Sequence, residues 1–117
     1  GYSNQASGWG ATIGGGRDNQ ASGDYAAVGG GRENKAITGT YTTIGGGYGN
    51  QANGFMATVP GGANNIAGGD YSFAAGSGAR ANSDGCFVWS DVAGGAVNCN
   101  TNNAFVARTT SAPESLS

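Results

Sequence analysis

The stretch Gly23–Gly47, GDYAAVGGGRENKAITGTYTTIGGG, contains the same phrase twice. A glycine leads to a tyrosine and small residues, a branched aliphatic follows, and three glycines close the phrase. Outward from it, triple glycines stand at Gly14–Gly16, Gly29–Gly31 and Gly45–Gly47, each directly after Ile or Val. An Asn-x-Ala element recurs as Asn4-Gln5-Ala6, Asn19-Gln20-Ala21, Asn34-Lys35-Ala36, Asn50-Gln51-Ala52 and Asn65-Ile66-Ala67, at spacings of 15, 15, 16 and 15 residues. The long step carries one extra residue, in KAITG compared with QASG. Glycine then follows at Gly8, Gly23, Gly39, Gly54 and Gly69, and five positions further on lie Ile13, Val28, Ile44, Val59 and Ala74. A sixth, decayed copy, GARANSDG, closes the series.

A short fixed period held in several columns at once is the mark of a solenoid. Fifteen residues are too few for a helical hairpin and suit one coil of two short strands and two turns. Counted from each glycine, the third and fifth positions are Ala11/Ile13, Ala26/Val28, Thr42/Ile44, Ala57/Val59 and Ser72/Ala74. The period of two predicts strands, with this small-plus-branched set inward because a tight coil has little internal volume. The second and fourth positions, Gly10/Thr12, Tyr25/Ala27, Tyr41/Thr43, Met56/Thr58 and Tyr71/Phe73, are expected outward on the same strands. The triple glycines are expected to reverse the backbone at positive φ and to let neighbouring backbones approach closely. Pro60 replaces the first of them in VPGG, which fits a turn or an exposed strand end. Asn4, Asn19, Asn34, Asn50 and Asn65 are expected to stack as an amide ladder up one edge, the alternative being a polar binding strip.

Composition explains why the column needs help. Among 117 residues there are 25 glycines, one leucine (Leu116), and only 15 residues of Leu, Ile, Val and Phe together. That apolar share is low enough for disorder, yet the formal net charge of −2 supplies little self-repulsion to keep the chain open. One Ile or Val per coil is a thin core against the entropy of ordering fifteen residues. Self-association that buries Tyr25, Tyr41, Met56 and Tyr71 is the expected remedy; the alternative is that these rings only cover a strand surface.

The repeat YAAVGGGRENKAITG is similar to the head repeats of trimeric autotransporter adhesins, the YadA-like heads. The resemblance covers about residues 3–85. It implies an all-β fold, a left-handed parallel β-roll of 15-residue coils, with three chains side by side in a surface fibre. Ile13, Val28, Ile44 and Val59 match the family's inward aliphatic, and Ala6, Ala21, Ala36, Ala52 and Ala67 its small turn residue. Beyond it, YSFAAGSGARANSDGCFVWSD and NNAFVARTT resemble the segment that ends such rolls in bacterial surface proteins and in tail-fibre-like proteins. A coiled-coil stalk and a membrane anchor, present in the family, are not visible here, and neither is a secretory signal; an exported form would be a mature piece of a longer chain.

The expected division is a roll over 1–85 and a capping or neck segment over 86–117. In the latter, CFVW and AFVAR read as two capping strands joined by a polar loop, Ser90 to Ala104, with their aromatics in a core, the alternative being a ligand platform. Pro113 and the serines after it read as a loosened terminus. In an exported protein Cys86 and Cys99 can close a disulfide; the alternative is two buried thiols. Without histidine they do not make a zinc site.

No catalytic, cofactor-binding or metal-binding residues stand out, and an enzyme is not expected. Histidine, the commonest general base, is absent. Asp24 and Asp70 share a turn column, but three coils put them roughly 14 Å apart at about 4.8 Å per coil, too far for a retaining glycosidase pair. The triple glycines lack the lysine of a phosphate loop. Arg17, Arg32, Lys35, Arg80 and Arg108 are scattered, so no nucleic-acid partner is expected. No apolar run is long enough for membrane insertion. Three functions remain. The favoured one is a structural and adhesive head on the bacterial cell surface, a homotrimer meeting an extracellular receptor through a repetitive surface. The second is a receptor-binding or spacer segment of a phage-type tail fibre. The third is an ice-binding solenoid, suggested by Thr12, Thr43 and Thr58 but interrupted in the same column by Ala27 and Phe73.

Overall fold

The computed structural model describes residues 1–92 and 95–110. The chain winds into seven stacked rungs, each contributing one strand to each of two parallel sheets. β1 (Gln5–Ala6) and β2 (Thr12–Ile13) make the first rung, and β3 (Gln20–Ala21) and β4 (Ala27–Val28) the second. β5 (Lys35–Ala36) with β6 (Thr43–Ile44), β7 (Gln51–Ala52) with β8 (Thr58–Val59), and β9 (Ile66–Ala67) with β10 (Phe73–Gly76) follow. β11 (Ala79–Ala81) with β12 (Phe87–Ser90), then β13 (Val97–Cys99) with β14 (Phe105–Arg108), complete the column. Odd strands form one sheet and even strands the other, every neighbour parallel and in the register that the repeat demands, such as Val28↔Ile44↔Val59. A third ladder of single bridges, Tyr2↔Arg17↔Arg32↔Tyr48↔Ala63↔Ser77, runs between the sheets.

The inward column is as the period of two requires. Ala26, Val28, Thr42, Ile44, Ala57, Val59, Ser72 and Ala74 are buried, facing Ala21, Ala36, Ala52, Ala67 and Ala81 from the other sheet. The repeat's extra residue is taken up in the turn at Ile37, which is exposed, so the sheets keep register on both sides. Thr42 is the core's one polar misfit among the described residues: its Oγ1 is buried with no partner, whereas Ser72 in the same column donates to the Gly69 carbonyl at 2.6 Å.

The strands are shorter than the sequence suggested. Tyr25, Tyr41, Met56 and Tyr71 are turn residues with left-handed φ of 55–58°, not outward strand positions. The cause is the rung-to-rung bonding of the turn itself, in which the Tyr25 and Tyr41 N–H groups donate to the carbonyls of Trp9 and Asp24 on the preceding rung. The triple glycines also divide their duties. A Cβ on Gly29 would lie 2.4 Å from the Gly45 carbonyl oxygen, so close approach excludes a side chain there. Gly31 has φ of 85° and a Cβ site 2.2 Å from the Gly47 oxygen, so both shape and space require glycine.

The asparagines stack as the expected amide ladder, with Asn34 Nδ2 donating to Asn19 Oδ1 at 3.1 Å and Asn65 Nδ2 to Asn50 Oδ1 at 3.2 Å, but inside the column rather than on an edge: Asn19, Asn34, Asn50 and Asn65 are fully buried. Asn34 is typical. Its Nδ2 donates to the carbonyls of Gly30 and Gly47 at 3.0 and 2.9 Å, and its Oδ1 accepts from the Asn50 backbone N–H at 3.0 Å. The amide thus ties its own glycine turn to the next rung's turn, where a backbone reversal inside the column would otherwise orphan its polar groups.

Residues 86–108 are not a cap over the roll. β12 and β14 extend the even sheet in full register, Phe73↔Phe87↔Phe105, and β13 extends the odd sheet, with Ala81↔Cys99. The loop expected between them therefore contains a strand, and the solenoid continues to Arg108. Sequence periodicity was lost because four extra residues enter between Ser90 and Val97, relative to the stretch joining Gly76 to Ala79. The aromatics expected as core lie outward: Val88 is buried between Phe87 and Trp89, both exposed. Cys86 and Cys99 take the inward small-residue columns of the two sheets and are joined as a disulfide, Cα atoms 6.2 Å apart, linking opposite walls inside the column. Pro113 lies outside the described residues.

Asn34→Ala strands the buried Asn50 N–H and the Gly30 carbonyl, and is expected to cost about 2–4 kcal/mol. Thr42→Val removes an unsatisfied hydroxyl at nearly constant volume and is expected to stabilise by about 1 kcal/mol. Thermal and urea melts of the two variants beside the parent check both signs. For the disulfide, Cys86→Ala/Cys99→Ala is expected to cost about 3 kcal/mol by loop closure. Hydrogen exchange should place that loss in β11 to β14; uniform loss across all rungs would contradict the placement.

Candidate functional site

A core of alanine and valine leaves the large side chains on the surface, and their arrangement there is ordered. At the turn leading from odd to even strands, five rings run up the edge: Trp9, Tyr25, Tyr41, Phe55 and Tyr71. Successive centroids are 4.9–6.2 Å apart. All five are exposed, as are Met56 and Ile37 beside them. The left-handed φ of the tyrosines aims the rings off the edge rather than onto a sheet face. Tyr25 and Tyr41 stack with 4° between planes and so cover each other's faces, presenting edges and hydroxyls to solvent. On the outer face of the even sheet a second stack joins Phe73, Phe87 and Phe105 at 4.3 and 4.9 Å.

The acidic residues of the aromatic edge are structural. Asp24 Oδ1 accepts from the Trp9 N–H at 3.0 Å, Asp70 Oδ1 from the Phe55 N–H at 2.9 Å, and Asp84 Oδ1 from the Asp70 N–H at 2.8 Å. Each carboxylate caps the turn of the rung before it. Asp24 and Asp70 are separated along the column, as expected, and no group of three His, Cys, Asp or Glu able to hold a metal occurs among the described residues. Thr12, Thr43 and Thr58 do share one outward column of the even sheet, with Ala27 and Phe73 interrupting it.

On the opposite side, the bridge column carries Tyr2, Arg17, Arg32 and Tyr48. Arg17 lies over the Tyr2 ring at 5.2 Å and Arg32 over Tyr48 at 5.9 Å, and each guanidinium also meets its neighbouring acid, Asp18 or Glu33. These are exposed pairs of small energetic weight that hold the arginines flat along the face. Arg108 pairs with Asp91 at 3.2 Å.

Below Tyr48 the same column shrinks to Ala63 and Ser77. The chain loses one residue here, since Phe73 pairs 15 positions from Thr58 while Ser77 pairs only 14 from Ala63. Two adjoining depressions result. One, of about 530 Å³, is lined by Gly62, Ala63, Gly76, Ser77, Trp89, Ser90, Asp91 and Val92; its lining is mostly apolar. The other, of about 280 Å³, is lined by Asn64, Gly78, Arg80 and Ala96. Ser77 and Val92 belong to both. Reading the sequence as a repeat passed over this place, because its signal is the breakdown of the repeat: a missing glycine, two small residues where arginine and tyrosine had been, and the Asp91–Ala96 insertion.

No family model matches this chain, and no curated protein or solved structure does either.

Proposed function

We propose that this chain is a structural and adhesive head segment of a trimeric bacterial surface fibre. The observation that carries it is the pairing of a thin core with continuous exposed aromatic columns. A column whose largest fully buried side chains are Ile44, Val28, Val59 and Val88 has little apolar burial of its own. Meanwhile Trp9, Tyr25, Tyr41, Phe55 and Tyr71 stand exposed in one unbroken edge. Exposed apolar surface of that extent marks an interface, and parallel rungs let three identical columns meet with the same contact repeated at every level. The resemblance of the repeat to YadA-like heads supports the same assembly. The faces left outward then present a receptor with one motif many times over, so weak single contacts multiply.

Sedimentation equilibrium at micromolar concentration is expected to give about three times the 11.4 kDa chain mass. Tyr25→Ser/Tyr41→Ser is expected to shift the equilibrium towards monomer. A parent protein that stays monomeric at those concentrations would refute the trimer.

A further inference from the structure

We infer that the paired depressions around Ser77 are a binding site for an acidic saccharide, with Trp89 as platform for the sugar ring and Arg80 as partner for its carboxylate. The inference gives the adhesive segment a ligand class and rests on that reading only for its biological setting.

In a repeat protein the unremarkable outcome is that each rung copies the last. Here four departures fall at one spot. The bridge column drops from Arg17, Arg32 and Tyr48 to Ala63 and Ser77, opening the floor. The fifth rung is one residue short. The stretch after Ser90 is four residues longer, and Val92 in it lines both depressions. Trp89 enters a column that is otherwise Gly14, Gly29, Gly45, Pro60 and Ala75, where no ring precedes it. A tryptophan there has no structural duty of the kind the other rings perform. Among the described residues it makes no ring or cation contact, it is 43% exposed, and it lines the larger depression.

The ligand chemistry follows from what the two halves offer. The larger depression is mostly apolar with an indole in its lining, which suits the C–H face of a pyranose ring, and the one carboxylate that lines it among the described residues, Asp91, is paired with Arg108. The smaller supplies Arg80, and Asn64 at its mouth. Arg17, Arg32 and Arg108 each carry a carboxylate partner, but Arg80 has none among the described residues. The Asn64 amide likewise makes no side-chain hydrogen bond there. A guanidinium left without an acid, beside a free amide and next to an aromatic platform, fits a carboxylate attached to a ring, because the fork geometry takes both oxygens. The depressions are open along the surface, so a segment of a longer glycan can pass through them. The aromatic edge offers no equivalent: Tyr25 and Tyr41 cover one another's faces, and the charged groups described there, Asp24, Asp70 and Asp84, are carboxylates bonded to backbone N–H groups, with no guanidinium beside the rings.

The test uses the chain with Trp9→Phe, which leaves Trp89 as the single indole while keeping a ring in the edge stack. Its fluorescence is followed against oligogalacturonides, hyaluronan fragments and sialyllactose, each beside a neutral counterpart (methyl-esterified or desialylated). At least one acidic saccharide is expected to give a saturable change and to bind about tenfold tighter than its neutral form, which is about 1.4 kcal/mol. Arg80→Gln is expected to bring the two forms within about twofold of each other while the ring still binds. Trp89→Ala, followed by chemical-shift changes at Ser77 and Gly78, is expected to abolish binding of both. If no acidic saccharide saturates, or if Arg80→Gln keeps the full preference for acid, the proposal is wrong. The oligomer measurement is independent of it: a trimer that binds none of these sugars overturns the site alone, and a monomer that binds them overturns the assembly alone.

Discussion

The buried asparagine is what the rest of the molecule is built around. A solenoid this narrow must turn its backbone twice in fifteen residues, and one of those turns runs close beside its own interior. Carbonyls there face inward where no water can reach them. Asn34 answers with one side chain, bridging Gly30 and Gly47 and receiving the Asn50 N–H, and Asn19, Asn50 and Asn65 repeat the device. Because each amide bonds both its own turn and the next, the rungs cannot slip in register without breaking two buried hydrogen bonds apiece. Register in turn fixes which residues face inward.

That tie has a geometric consequence. Turns held so tightly leave no space for a Cβ at Gly29 or Gly31, where the next rung's oxygen sits within 2.4 Å of the site. Glycine at the turn and alanine on the odd sheet then keep the two walls close, and a close-walled column admits nothing larger than Ile or Val between them. Bulk is thereby expelled. The aromatic edge and the Phe73–Phe87–Phe105 stack are the reverse side of the small core, and ring-to-ring contact along the axis recovers part of the burial that the interior cannot give.

The repeat made the column legible because stacking is a nearest-neighbour problem: what fits Val28 against Ile44 also fits Ile44 against Val59, so the same residue types recur in phase. The inward set could be read by alternation alone. Tyr25 and Tyr41 could not, since the pattern that marks an outward strand residue also fits a left-handed turn residue, and only the bonding to Trp9 and Asp24 distinguishes them. The continuation beyond Gly85 was hidden by the insertion, which breaks the period without breaking the sheets. Cys86 and Cys99 do occupy the small inward columns, but that equivalence appears only once the two strands are aligned across the inserted residues.

Insertions and losses are tolerated in this fold where a turn meets solvent, and they are therefore where a chain of near-identical rungs acquires a distinct place. Ile37 shows the mild case: one extra residue, exposed, at the cost of a single strand pairing, since β5 meets β7 through Lys35↔Gln51 alone. The region around Ser77 is different in kind. There a lost residue lowers the floor, the long strands β10, β12 and β14, the most extended in the column, run alongside, and the disulfide joins the sixth rung to the seventh. Recognition needs walls that hold their shape. The covalent cross-link and the longest strands therefore lie beside the place where a loss and an insertion coincide, which gives the depressions there a rigid frame.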